Sequence, residues 1–178
     1  MRLFWARGFT ATSMDDLVTH TGASRHSLYR DFGGKEALYL AGFDIYRDTI
    51  VLPAFAQVED DGASLATLFD YLNVRIDSAE RLGLPGSGCL IVNATTETAP
   101  LSAAVAAHVD AHNALLRAGF AKAIATSAPY LDPEEADELA GTVLTFSNGL
   151  WCLSRRVSRA DPLRKHVATF RRLLEWRL

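Results

Sequence analysis

Apolar residues recur along this chain at spacings of three and four, while strand-like alternation is poor. That period lines up side chains on one face of a helix. From Ser64 the stripe is Leu65, Leu68, Phe69, Leu72 and Ile76, and from Ser102 it is Val105, Val109, His112, Leu116 and Phe120. Pro133 to about Arg156 shows Leu139, Val143, Phe146, Leu150 and Leu153, and the final stretch shows Val167, Phe170 and Leu174. The breaks between stripes carry turn chemistry. Gly83-Leu84-Pro85-Gly86-Ser87-Gly88 is the strongest break, and the acidic, polar 57–63 segment reads as a loop. Asp132-Pro133-Glu134-Glu135 is a full helix start, with a cap, a proline at the first position and acids in the first turn; Asp161-Pro162 repeats it.

The first quarter is built from shorter pieces. Leu3-Phe4-Trp5 reads as the end of a helix closed by Gly8. Thr12 and Ser13 are both good N-caps, each with an aspartate three residues on, so either can close a capping box. Met14, Leu17 and Val18 follow as a short apolar face. Gly22 ends that helix, Ser24 caps the next, and Leu28 and Phe32 are its inward residues. Gly33-Gly34 breaks the chain again, and a long helix is expected from near Lys35 to about Leu52, before Pro53. A short helix is expected from about Cys89 to Glu97. The expectation is an all-α chain of about nine helices, three before Gly33 and six after. Residues 1–47 are expected to form an N-terminal unit of short helices and residues 48–178 a second unit of longer ones.

Two short helices joined by a glycine turn, the second rich in hydroxyls and base, are how a helix-turn-helix presents side chains to a DNA major groove. Ser24, Arg25, His26 and Ser27 fall in the first turn of the second of these helices, where base edges are reached. Arg25 can donate bidentately to guanine. Thr12 or Ser13 can offer a hydroxyl and a helix N-terminus to the phosphate backbone.

Composition narrows the class without naming it. The chain has 178 residues, 49% hydrophobic and 22% charged, and a net charge of −3, which fits a globular protein able to bury a core. Residues 1–47 carry Arg2, Arg7, Arg25, Arg30, Lys35 and Arg47 against Asp15, Asp16, Asp31, Glu36 and Asp44. The asymmetry has the sign expected of a DNA-reading segment. No apolar run approaches a membrane span, and the N-terminus lacks a signal peptide's apolar core. Two cysteines give no disulfide framework, which points to a reducing cytoplasm. There is no glycine-rich phosphate loop, metalloprotease helix or nucleophile–base pair, so neither an enzyme nor a cofactor is expected.

The long helices suggest a second kind of site. Phe69, Leu72, Ile76, Leu116, Phe120 and Trp151 can line an apolar pocket between helices, or simply pack as core. His112 interrupts an apolar stripe, as a residue bonding a ligand or as a satisfied core histidine. His108 and His112 stand one turn apart, but no third metal ligand accompanies them. Cys89 follows glycine at an expected helix start, where a thiol is acidified; the alternative is a small buried residue. Cys152, inside an apolar helix, reads as packing. The last two helices also carry Leu144, Trp151, Leu173 and Trp176 off their main stripes. A dimer of two helices from each subunit would cover them.

Taken together, Phe4-Trp5-Ala6-Arg7-Gly8, Phe9–Ser13, Asp16-Leu17-Val18, Thr21-Gly22-Ala23-Ser24, Leu28–Phe32 and Lys35–Leu38 resemble the tetracycline-repressor (TetR) family of bacterial transcription regulators. The resemblance implies a homodimer whose third helices enter the major groove at the two halves of a palindromic operator. A small-molecule effector then changes the spacing of the two reading segments. It also implies that Tyr29 and Lys35 contact phosphate. The segment around Cys89 looks similar to a subgroup in which a cysteine responds to electrophiles or oxidants. One departure stands out: the family's first helix is normally longer and often basic at its start. Either the true start lies upstream, or this segment lacks part of its support and phosphate contacts. The rival readings are a helical small-molecule binder or enzyme, and a dimeric interaction protein with a non-functional DNA segment.

Overall fold

The computed structural model describes residues 1–178 as helices and connecting turns, with no strand. The helices are α1 (Arg2–Arg7), α2 (Met14–Thr21), α3 (Arg25–Phe32), α4 (Lys35–Tyr46), α5 (Leu52–Glu59), α6 (Leu65–Leu82), α7 (Leu90–Glu97), α8 (Ala103–Ser127), α9 (Pro133–Ser154) and α10 (Asp161–Arg177). The all-α expectation holds. No helix is long and apolar enough to cross a membrane.

Pro53 does not end the helix that begins at Lys35. A π-helical stretch, Arg47–Val51, joins α4 to α5 without a break. Proline lacks an N–H and its ring crowds the carbonyl four residues back. The wider π turn just ahead of Pro53 supplies that room, so helix continues to Glu59 and only 60–63 remain as the acidic turn. The other helix ends follow the capping residues more closely. Ser13 and Asp16 form a reciprocal capping box on α2, and Asp132 caps α9. At α10 the aspartate is not the cap: Ala160 holds that position, and Asp161 lies inside the first turn, where Arg159 pairs with it at 2.7 Å.

The chain divides into two compact units. One comprises Met1–Val51 with Cys89–His112, the other Leu52–Gly88 with Asn113–Leu178. In the first, an aromatic cluster forms the centre. Tyr39 lies 5.0 Å from Phe4, 5.0 Å from Phe9 and 4.5 Å from Phe43, between ring centroids. Phe4, Tyr39 and Phe43 are buried, and burial pushes the Tyr39 phenol above its ordinary pKa. Leu90, Ile91, Val92 and Ala94 of α7 and Val105 and Val109 of α8 are also buried. α7 packs on α1 and α4, which is why Cys89–His112 belongs with the N-terminal residues.

In the second unit the stripes of α6, α8, α9 and α10 turn inward. Leu68, Phe69, Leu72 and Ile76 are inaccessible, as are Phe120, Ala123 and Ile124. Phe55 of α5 meets Phe120 edge-on at 5.5 Å. Gly119 makes this possible: a Cβ there would sit 2.6 Å from the Phe55 ring. Arg164 of α10 bridges Asp77 at 2.7 Å and Glu80 at 2.6 Å on α6. Trp151 is buried in its own unit, so it is not available to a partner subunit. Leu173 and Trp176 are 60% and 87% exposed, and Leu144 is half-buried.

Candidate nucleic-acid interface

Three local devices set the ends of α2 and α3. The first is the capping box, in which the Ser13 hydroxyl accepts from the Asp16 N–H at 3.0 Å and the Ser13 N–H donates to the Asp16 carboxylate at 2.8 Å. The Ser13 hydroxyl, which also donates to the Asp16 carboxylate at 2.6 Å, and the Ser13 N–H hold that carboxyl below its ordinary pKa. The second is Gly22, left-handed at φ +71°, which closes α2 and turns the chain. The third is Ser24, whose hydroxyl accepts from the Ser27 N–H at 3.0 Å and opens α3. Leu17 and Leu28 bury the facing sides.

The outer face of α3 is then open. Arg25, His26, Tyr29 and Arg30 are exposed, as is Ser24, and Ser27 is half-buried. Phe32, expected to point inward, is 40% exposed at the last position of α3, before the left-handed Gly33. The Arg25 guanidinium donates to Asp15 at 2.6 Å, which raises its pKa further. Both partners are more than half exposed, so the pair is cheaply broken in favour of a better acceptor. Arg30 is similarly occupied by its neighbour Asp31 at 2.7 Å. The hydroxyls of Ser24 and Ser27 lie 2.9 Å apart and share a hydrogen bond.

Two residues expected at the phosphate backbone are engaged within the protein. Thr12 is fully buried and its hydroxyl donates to the Gly8 carbonyl at 2.7 Å, leaving Ser13 as the exposed cap. The Lys35 ammonium donates to the carbonyls of Phe9 and Thr12, both at 2.9 Å, and sits 4.1 Å from the centre of the Phe9 ring. It is therefore engaged with the α1–α2 turn.

A residue without any local sequence signal joins that turn. The Glu97 carboxylate accepts from the N–H groups of Phe9 at 3.1 Å and Thr10 at 2.8 Å. Glu97 ends α7, more than eighty positions away in the chain, and periodicity gives no hint of it. Beside it lies a cleft of about 170 Å³ that includes Glu36, Tyr39 and Val105 in its walls.

The expected effector residues fall into the two units separately. Phe69, Leu72 and Ile76 on α6, Leu116 and Phe120 on α8, and Trp151 on α9 are all buried in the second unit. Cys89 and the half-buried His112 belong to the first. Cys89 is the N-cap of α7, is 6% exposed and makes no side-chain capping bond. Cys152, expected as packing, is exposed on α9. The Nδ1 of His108 lies 2.9 Å from the Ala104 carbonyl, and no group of three potential metal ligands gathers anywhere.

The fold and the α2–turn–α3 geometry define an all-helical chain carrying a helix-turn-helix. Residues 1–41 match the family described as bacterial regulatory proteins, tetR family. Over 116 residues the chain is 34% identical to the HTH-type transcriptional repressor ComR of Escherichia coli, covering 65% of this chain and 55% of ComR. It is 27% identical over 100 residues to the uncharacterized HTH-type transcriptional regulator YezE of Bacillus subtilis, covering 56% of this chain and 51% of YezE. The match thus spans about half the length of these curated relatives. A TetR transcriptional regulator from Chloroflexus aurantiacus superposes with a TM-score of 0.81 at 25% identity, over 97% of this chain and 88% of that one. The reduced form of Escherichia coli NemR shares the fold, with a TM-score of 0.78 at 18% identity, over 94% and 89% of the two chains. Residues 1–41 thus carry the segment described by the tetR family of bacterial regulatory proteins, and the chain shares the fold of TetR regulators over nearly its whole length.

Proposed function

We propose that this chain is a cytoplasmic transcriptional repressor that binds a palindromic operator as a homodimer and is released by a small molecule or electrophile. The observation that carries the reading is the open first turn of α3, where Ser24, Arg25 and His26 stand exposed on a helix that packs against α2. In this reading residues 1–47 are the DNA-reading domain. Arg25 reads a base edge, and Ser13 and Tyr29 contact phosphate. Residues 48–178 take the effector and make the dimer. The buried apolar side chains of Phe69, Leu72, Ile76, Leu116, Phe120 and Trp151 suit an apolar effector. Exposed Leu173 and Trp176 on α10 suit burial against a second copy.

Operator and effector must favour different arrangements of the dimer. Each then weakens the other's binding by the same factor, typically about 1–3 kcal/mol of coupling. The test is enrichment of duplexes from a random-sequence library on the purified full chain. The expected outcome is a single palindromic sequence with half-sites about one helical turn apart. A library that gains no sequence preference would refute the reading.

A further inference from the structure

The α1–α2 turn is held by two opposite charges that reach it from different helices. Its backbone groups can be followed one by one. The Gly8 N–H donates to Phe4 at 2.8 Å, and the Gly8 carbonyl accepts from the Thr12 hydroxyl at 2.7 Å. The Phe9 and Thr10 N–H groups both go to the Glu97 carboxylate, at 3.1 and 2.8 Å. The Phe9 carbonyl accepts from the Thr12 N–H at 3.2 Å and from Lys35 at 2.9 Å, and the Thr12 carbonyl accepts from Lys35 at 2.9 Å. An anion thus takes neighbouring donors while a cation takes neighbouring acceptors. Charge-assisted bonds of this kind are stronger than neutral ones.

The turn leads directly into Ser13, the cap of α2, and α2 sets the angle of α3. Arg7 of α1 adds an ion pair to Asp16 of α2 at 3.1 Å. Gly8 is shaped for the clamp: a Cβ there would lie 2.8 and 2.9 Å from the two Glu97 oxygens. We propose that Glu97 and Lys35 are positioning residues for DNA reading, clamping the α1–α2 turn from α7 and α4 so that α2 presents α3 in register. The proposal rests on the operator-binding reading above. It assigns Lys35 to the protein's own backbone instead of to phosphate.

Net charge and positioning predict opposite signs for Glu97. Removing a negative charge near DNA would, by charge alone, tighten binding. Loss of the clamp weakens it. The measurement is fluorescence anisotropy on the duplex enriched by the wild type, across a salt series, with Glu97→Gln, Glu97→Ala and Lys35→Met. Thermal unfolding of each variant confirms that it is folded at the assay temperature. Glu97→Ala is expected to bind roughly tenfold or more weakly, and Glu97→Gln, which keeps one acceptor oxygen, less so. Lys35→Met is expected to weaken binding without changing the slope of log affinity against log salt. A phosphate contact would lower that slope by about 0.9. Amide exchange at Phe9 and Thr10 is expected to quicken in both Glu97 variants. Wild-type or tighter binding by folded Glu97 variants, or a reduced slope for Lys35→Met, overturns the proposal. A wild type that enriches no duplex overturns the operator reading itself.

Discussion

Replacing Arg25 by alanine is expected to weaken operator binding by roughly tenfold or more at each half-site and to relax the sequence read there. Arg25 stands in the first turn of α3, the part of a recognition helix that meets base edges. Its present partner is Asp15, at 2.6 Å on a well-solvated surface, and such a pair yields little on breaking. A guanine edge offers two acceptors to the same fork in a desolvated groove. Two variants separate the charge from the fork. Arg25→Lys keeps the charge, so it should restore most of the salt dependence but not the discrimination between the enriched duplex and single-base variants of it. Asp15→Asn frees the guanidinium and removes a like charge to phosphate, so it should bind the operator somewhat more tightly. Unchanged discrimination in Arg25→Ala would remove Arg25 from the base-reading set.

Gly8→Ala should be the most damaging single-methyl change in the first unit. Gly8 adopts φ +87° and ψ 172°, a region that is essentially closed to residues with a Cβ. Strain there costs about 1–3 kcal/mol. The added carbon would also push the Glu97 carboxylate off two N–H groups, and hydrogen bonds to a charged group contribute about 1.5–3 kcal/mol each. Even with partial relaxation the total reaches about 3 kcal/mol, in the exceptional tail for point substitutions. For a chain of this size that lowers Tm by roughly 6–12 °C. Gly22→Ala is the internal control. Gly22 has φ +71°, but nothing lies within 4 Å of a Cβ built there. It should therefore cost only the left-handed strain, about 1–2 kcal/mol. Equal shifts for the two glycines would show that contact with Glu97 adds nothing.

The contrast between these two glycines also explains what was legible in the sequence. Most helix ends in the first unit could be read from residue types. Ser13 with Asp16, Gly22, Ser24 and Gly33 each mark a helix end by chemistry that needs only the neighbouring residues. The long stripes of α6 and α8 likewise predicted the buried Phe69, Leu72, Leu116 and Phe120. What escaped depended on partners distant in the chain or on backbone adjustment. Pro53 reads as a stop, and only the π turn before it shows how the helix goes on. Thr12 and Ser13 were equivalent caps until packing buried Thr12. Lys35 reads as a phosphate ligand by its family position, yet its ammonium is occupied by Phe9 and Thr12. Glu97 has the composition of any helix-end acid, and only the fold brings its carboxylate to the turn.

The central claim, that this helix-turn-helix reads DNA as a pair, is tested most directly by titrating the full chain against the enriched palindrome and a scrambled duplex at several salt concentrations. Two chains are expected to bind each palindrome, with a preference over the scrambled duplex of about a thousandfold or more. Affinity is expected to fall by orders of magnitude between about 50 and 200 mM salt. Equal affinity for the two duplexes, or binding that salt does not weaken, would contradict the claim.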